Sequence, residues 1–246
     1  MYRLRKAFKV ISPTACAWFV SLGWALSAYG GGCNSTLSTH VADVNIQQSS
    51  ALAALLQFGS ENGICLAVEA PGLDLLKRPG RIQASRPAVA YVIQTLLDGG
   101  AYQLSESNGV ILIRNADAMG QMTQLDIVVP EYTITKLSVA WANFALLVRL
   151  MRLADPSMQS IAGTLSDRHP EDQIGPMDEH GRTARELLTL IVGQSAGGAW
   201  VSGQCLGPVS GRACWTVIQY RDEPEIVAAT GRNLVNQLTT ERTPLK

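Results

Sequence analysis

Apolar positions in this chain switch between a helical and an extended period, and the switches delimit its elements. Leu52, Leu55, Leu56 and Gly59 follow the i, i+3, i+4, i+7 spacing of one helix face. Ser50 stands where an N-cap oxygen is needed, and Asn62-Gly63 supplies the stop. The short apolar run Ile64-Cys65-Leu66-Ala67-Val68 predicts a strand. Residues 71–80 read as a loop because Pro71-Gly72 and Pro79-Gly80 bracket them, and residues 81–85 alternate polar with apolar as a half-buried strand does. Val89, Val92, Ile93 and Leu96 trace a second helix, which Gly99-Gly100 ends. Residues 101–105 and 110–114 flank Asn108-Gly109, a hairpin signal because both turn positions favour positive φ. A leading strand over residues 41–46 completes the set.

The second half repeats this order. Gly197-Gly198-Ala199-Trp200 echoes Gly99-Gly100-Ala101-Tyr102, and the same offset superposes Leu187, Leu190 and Ile191 on Val89, Val92 and Ile93. Thr183 and Glu186 make a capping box at the start of that helix. Upstream, residues 126–135 read as extended, and residues 138–153 as a very apolar helix carrying Trp141, Phe144, Leu147 and Met151. Residues 200–205 and 214–220 would form the closing hairpin. The expected class is therefore α+β: two tandem modules of helix-strand-strand-helix-hairpin type, over 41–118 and 123–222, joined near 116–123. The polar stretch 166–181 is expected as a surface loop inserted in the second module, and 223–246 as a C-terminal tail with a short helix around 225–238.

Charge adds a targeting signal. The chain of 246 residues has 20 basic and 20 acidic side chains, yet Arg3, Arg5, Lys6 and Lys9 fall in the first ten positions with no acid among them. A mostly apolar run over 15–29, with Trp18, Phe19, Val20, Leu22, Trp24 and Leu26, follows. Ala28-Tyr29-Gly30 fits the small-x-small rule for cleavage, so residues 1–30 are expected as a signal peptide and 31–40 as a linker. Retention as a membrane anchor stays open, because the run approaches the ~20 residues of a bilayer span. Lipidation at Cys33 lacks its usual context, since Gly30, Gly31 and Gly32 provide no aliphatic residue three positions before it. Without the leader 16 basic residues face 20 acidic ones, a balance that gives no basic face for nucleic acid.

Cys16 leaves with the leader, and Cys33, Cys65, Cys205 and Cys214 remain. Cys205 and Cys214 flank Leu206-Gly207-Pro208-Val209-Ser210-Gly211, a segment of turn formers that brings its ends together. A disulfide there and a pair of small buried thiols both satisfy that spacing. Cys65 is expected as core, and the absence of any CxxC removes support for a zinc ribbon or a thioredoxin-like site.

The run from Ser50-Ala51-Leu52-Ala53-Ala54-Leu55-Leu56 through Gly63-Ile64 to Arg86-Pro87-Ala88-Val89-Ala90-Tyr91-Val92-Ile93-Gln94-Thr95-Leu96-Leu97 resembles the short N-terminal domain of secretins and TonB-dependent receptors. The likeness covers about residues 41–115, with 123–222 as a divergent second copy. It implies an α+β fold, a periplasmic location and a role in binding partner proteins. In TonB-dependent transducers it also implies relay of a signal to a regulator in the inner membrane. The chain departs from both families in having no long β-rich segment after the module for a barrel or a pore.

Two patterns carry chemistry. Gly193-Gln194-Ser195-Ala196-Gly197 satisfies G-x-S-x-G, the nucleophile elbow of α/β-hydrolases. An elbow needs a strand before the serine, a helix after it and a histidine later in the chain; here His40, His169 and His180 all precede Ser195. The capping box makes the preceding segment a helix, and Ser195 its stop. Asp167, His169, Glu171, Asp172, Asp178, Glu179 and His180 crowd one stretch without a regular metal-ligand spacing, and Pro170 and Pro176 favour an open, solvated loop. Trp141, Trp200 and Trp215 lie in apolar periodic segments and are expected in the core. No catalytic, cofactor or metal residue is assigned and no cofactor is expected. The functional expectation is an exported, non-enzymatic protein-protein interaction module of the bacterial cell envelope, touching the membrane only through an uncleaved leader. A secreted serine hydrolase using Ser195 and a membrane-anchored structural subunit are the alternatives.

Overall fold

Ser50 starts the first helix as its residue type requires: its backbone is extended at φ −138° and ψ 153°, and its Oγ accepts from the Ala53 N–H at 3.1 Å. A computed structural model describes residues 32–33, 36–69, 71–118, 124–157, 167–203 and 215–220, with 227, 231–233 and 235. In the first half, β1 (Val44–Gln48), α1 (Ala51–Asn62), β2 (Leu66–Glu69), α2 (Leu73–Lys77), β3 (Gly80–Ala84), α3 (Val89–Leu97), β4 (Tyr102–Ser107) and β5 (Val110–Asn115) follow in order. The second half holds β6 (Val128–Ile134), β7 (Leu137–Ser138), α4 (Val139–Ala154), β8 (Gln173–Ile174), β9 (Met177–Thr183), α5 (Ala184–Gln194), β10 (Gly198–Ser202) and β11 (Trp215–Gln219).

The class is mixed α and β, with small sheets. Gly63 ends α1 in the left-handed region at φ 64°, and the Asn108-Gly109 turn has φ of 52° and 72°, as its residue types predict. The β1–β3 and β6–β9 antiparallel pairs occupy corresponding places in the two halves. The halves, however, are not separate bodies. Gly32–Lys246 forms one compact unit, and a five-stranded sheet ordered β11-β10-β2-β5-β4 draws strands from both. Its three inner strands are parallel, with Trp200 opposite Ala67 and Ala67 opposite Leu112.

The reason lies in β2. Side chains alternate across a strand, and here both sets are apolar: Leu66 and Val68 join one core, Cys65 and Ala67 the other. A strand buried on both faces needs partners on both edges; β5 takes one and β10 the other. The first core packs α1, α3 and the inner faces of β1 and β3 onto the sheet, and the second packs α4, α5, β6 and β9 onto its reverse. The result is five layers, with a helical layer and then a two-stranded sheet on each side of the centre. Helix α1 is buried on nearly every side because it lies between two of these layers.

Three expectations of organisation change. The loop 71–80 contains the short helix α2. The inserted loop 166–181 contains β8 and the start of β9, whose polar residues suit a strand that pairs with β6 and is largely exposed beyond Met177. The linker 31–40 is pinned where described: the Cys33 N–H donates to the Gly193 carbonyl at 3.0 Å, and the Leu37 carbonyl accepts from the Ala90 N–H at 2.9 Å. In the tail 223–246 the short helix expected around 225–238 is present at the described residues 227, 231–233 and 235, and Val227 and Val235 pack into the first core.

Candidate functional site

Ser195 sits at the end of α5, on a helix-to-strand junction rather than the strand-to-helix bend of a nucleophile elbow. It is 1% exposed, and its Oγ donates to the Val192 carbonyl at 2.7 Å while accepting from the Gly197 N–H at 3.3 Å. Both capacities of the hydroxyl are thus spent on terminating the helix. At the other end of α5, Thr183 accepts from the Glu186 N–H at 3.2 Å and the Glu186 carboxylate accepts from the Thr183 N–H at 2.8 Å. That hydrogen bond from the Thr183 backbone, despite some desolvation, holds the Glu186 carboxyl below the usual carboxylate range.

The acidic and histidine-rich stretch is dispersed by its strands. Asp172 is buried and its carboxylate accepts from Gln219 at 3.3 Å, Asp167 accepts from the Ser138 hydroxyl, and His169 meets Glu171 at 3.3 Å. His180 meets Asp178 at 3.2 Å in a separate exposed pair. Among the described residues no group of three or more such side chains is arranged to hold a metal ion.

The tryptophans divide. Trp200 is fully buried, with its indole N–H unpartnered, and Trp215 is buried with its Nε1–H donating to Asn143 Oδ1 at 2.7 Å. Trp141 departs from the expected core position: it is 48% exposed and stands edge-on to Phe144, with ring centroids 5.8 Å apart. The buried face of α4 is instead Val139, Ala142, Leu146 and Leu150. Burial pushes the phenols of Tyr132 and Tyr220 above their ordinary range; Tyr132 donates to the Ala142 carbonyl at 2.7 Å, whereas the Tyr220 hydroxyl lies unpartnered against Gly59.

Cysteine pairing is the feature the sequence left unassigned. Cys33 and Cys65 form a disulfide across a Cα separation of 5.8 Å, in the ordinary range for such a bond. Cys65 is in the core as expected, but as a half-cystine. Four cysteines permit three connectivities, and the turn between Cys205 and Cys214 favoured the local one. That pair, like the cleavage residues Ala28 and Gly30, lies outside the described residues.

Two further places concentrate polar groups. At the C-terminal ends of the parallel strands, one oxygen of the buried Glu69 accepts from Arg114 Nε at 3.2 Å and from Arg185 Nε at 2.6 Å. Arg185 also pairs with Asp126, so this network joins the halves across the sheet end. An open cleft of about 750 Å³ lies between the β4–β5 turn at Asn108, residues 173–175 and the end of α5 at residues 193–194. Gly32 and Cys33 close one side of it. No protein-family model, curated protein or solved structure matches the chain.

Proposed function

We propose that this chain is an exported, non-enzymatic interaction module of the bacterial cell envelope that binds another envelope protein. The observation that carries the reading is the buried Cys33–Cys65 disulfide, which follows directly on a basic and apolar leader. Disulfides persist in oxidising compartments and are rare in the cytosol. The element order of residues 41–115, which resembles the short N-terminal domain of secretins and TonB-dependent receptors, supports a periplasmic partner-binding role. The commitment of the Ser195 hydroxyl to its own helix end argues for binding rather than ester hydrolysis. Large apolar side chains left in solvent at Trp141 and Leu153 on α4 and Tyr91 on α3 offer contact area that neither core consumes.

The test joins localisation to contact. Photo-crosslinking groups placed singly at positions 91 and 141 of the full chain, expressed with its leader, should yield a discrete adduct in the envelope fraction, the adduct from position 91 being lost on Trp141→Glu. The mass of the mature N-terminus then separates a cleaved periplasmic protein from an anchored subunit. A cytosolic chain with Cys33 and Cys65 free, or an exported chain without a discrete adduct at either position, refutes the proposal.

A further inference from the structure

Strand β4 ends the central sheet, and its hairpin with β5 fixes which way each of its backbone groups points. Ser107 and Val110 flank the two-residue Asn108-Gly109 turn, so they form a hydrogen-bonded pair, and the register runs on without a bulge to Tyr102 opposite Asn115. Two bonds beyond the ladder agree. The Ala116 N–H donates to the Ala101 carbonyl at 2.6 Å, which extends the hydrogen-bonded set Ser107, Ser105 and Gln103 by one step. The Ile111 N–H, opposite Glu106, donates to the Cys65 carbonyl at 2.9 Å, away from β4. The backbones of Tyr102, Leu104 and Glu106 therefore face the open side of the sheet. Gly100 holds the Tyr102 N–H at 2.7 Å, but among the described residues no carbonyl holds the Leu104 or the Glu106 N–H.

Proteins blunt an open edge with charges, prolines or bulges. Here the one such device is Glu106, and its carboxylate already accepts from the Leu37 N–H at 2.6 Å. Gln103, Leu104 and Ser105 carry no charge, and Gln103 and Ser105 are exposed. We propose that β4 pairs with β4 of a second copy of this chain, antiparallel about a two-fold axis at Leu104, so that the two central sheets continue edge to edge. Register and charge single out this occupant. With the axis at Leu104, that residue and the partner's Leu104 exchange both backbone hydrogen bonds, and each Glu106 N–H comes opposite the partner's Tyr102. Leu104, which packs on the first core, meets its own counterpart on that face, and on the reverse face Gln103 meets the partner's Ser105. No like charges stand opposite one another. An axis at Glu106 would oppose two carboxylates, and an axis at Tyr102 would need the N–H already given to Gly100. A strand that complements itself in this way forms a closed, isologous interface. The pairing holds whether or not the chain binds an envelope partner through α4.

Sedimentation equilibrium on the full chain and two variants tests this. The wild type should form a reversible dimer by about 100 μM, as a small and largely polar interface does. Q103K/S105K sets two lysine pairs across the junction and should weaken the dimer at least about tenfold, whereas Q103K/S105E turns the same contacts into opposite-charge pairs and should restore it. Both positions are exposed and give their backbones to β5, so each variant keeps the hairpin. All three proteins share residues 1–31, so any association through that stretch is common to them. Hydrogen exchange on the wild type is the second measurement and needs no variant. The Leu104 and Glu106 amides should slow at least about threefold as the dimer fills, while the Gln103 and Ser105 amides stay as they are. A monomer at about 100 μM, a dimer indifferent to Q103K/S105K, or a Q103K/S105E dimer no tighter than Q103K/S105K overturns the pairing, and so does Leu104 exchange that is independent of concentration.

Discussion

Replacing Glu69 by Gln tests the junction between the two halves directly. Glu69 is 8% exposed and holds two guanidinium groups on one oxygen, at 3.2 Å from Arg114 and 2.6 Å from Arg185. Removing one partner of a fully buried pair costs about 3–5 kcal/mol. Glutamine keeps one acceptor, and Arg185 keeps Asp126, so the expected loss is smaller, about 2 kcal/mol, comparable to one charge-assisted hydrogen bond. For a unit of this size that lowers Tm by roughly 4–8 °C. A double-mutant cycle of E69Q with Arg185→Met should give a coupling of about 1–2 kcal/mol. The exposed pair Arg182–Glu186, at 3.7 Å, is the control and should give a clearly smaller coupling. A Glu69–Arg185 coupling no larger than the control would refute the claim that burial makes this pair a tie between the halves.

Gly59→Ala should destabilise by about 2 kcal/mol although alanine favours helices, because its Cβ would stand 2.2 Å from the Tyr220 hydroxyl and 2.8 Å from the Ile64 carbonyl. Tyr220→Phe removes that unpartnered hydroxyl and should be neutral or stabilising, recovering part of the Gly59→Ala loss in urea titrations; no recovery would contradict the contact. Thr183→Ala should cost about 1 kcal/mol near neutral pH. Because the folded state lowers the Glu186 pKa, its contribution is complete above the unfolded carboxyl value of about 4.3 and is lost as pH falls through the lower folded value. The difference between wild type and Glu186→Gln should therefore shrink on acidification; a difference independent of pH from 7 to 3 would count against it. Ser195→Ala should cost about 1 kcal/mol as a lost helix terminus, and a fluorophosphonate probe should label neither protein; labelling of folded wild type at Ser195 would reverse that assignment.

Local patterns in the sequence were legible and long-range pairing was not. Ser50, Gly63, Asn108-Gly109 and the Thr183/Glu186 box do what their residue types dictate within a few positions of themselves, so helices and hairpin could be read directly. The order of strands in the sheet depends on which edge of β2 meets which partner across more than a hundred residues. The run Ile64-Cys65-Leu66-Ala67-Val68 did carry a trace of this, since an unbroken apolar strand is buried on both faces. It could not say that β10 would supply the second neighbour. The Cys33–Cys65 bond escaped for a related reason: each cysteine looks local in its own context, one beside a glycine run and one inside a strand, and only the fold brings them together. Trp141 was misassigned because the apolar content of α4 exceeds what one buried face needs, and periodicity alone does not say which of two apolar stripes faces inward.

That surplus on α4 matters because the layering leaves few other surfaces for recognition. The three inner strands β10, β2 and β5 are buried on both faces and have partners on both edges, so they cannot meet a ligand without unfolding, whereas the edge strand β4 is largely exposed. Contacts fall to that edge and to the outer layers. On one side, β1 and β3 turn Asn45, Gln47, Arg81 and Gln83 outward, a polar face whose residues lie opposite one another in register. On the other, β9 turns charged residues to solvent, several of them paired with each other. Against these polar faces, the Trp141–Phe144 pair offers apolar area whose burial by a partner is favourable at roughly 25 cal/mol per Å², with the Trp141 indole N–H the one polar group on the two rings. The same packing that joins the two halves into one body thus directs recognition to the exposed face of α4 and to the open cleft beside the end of α5.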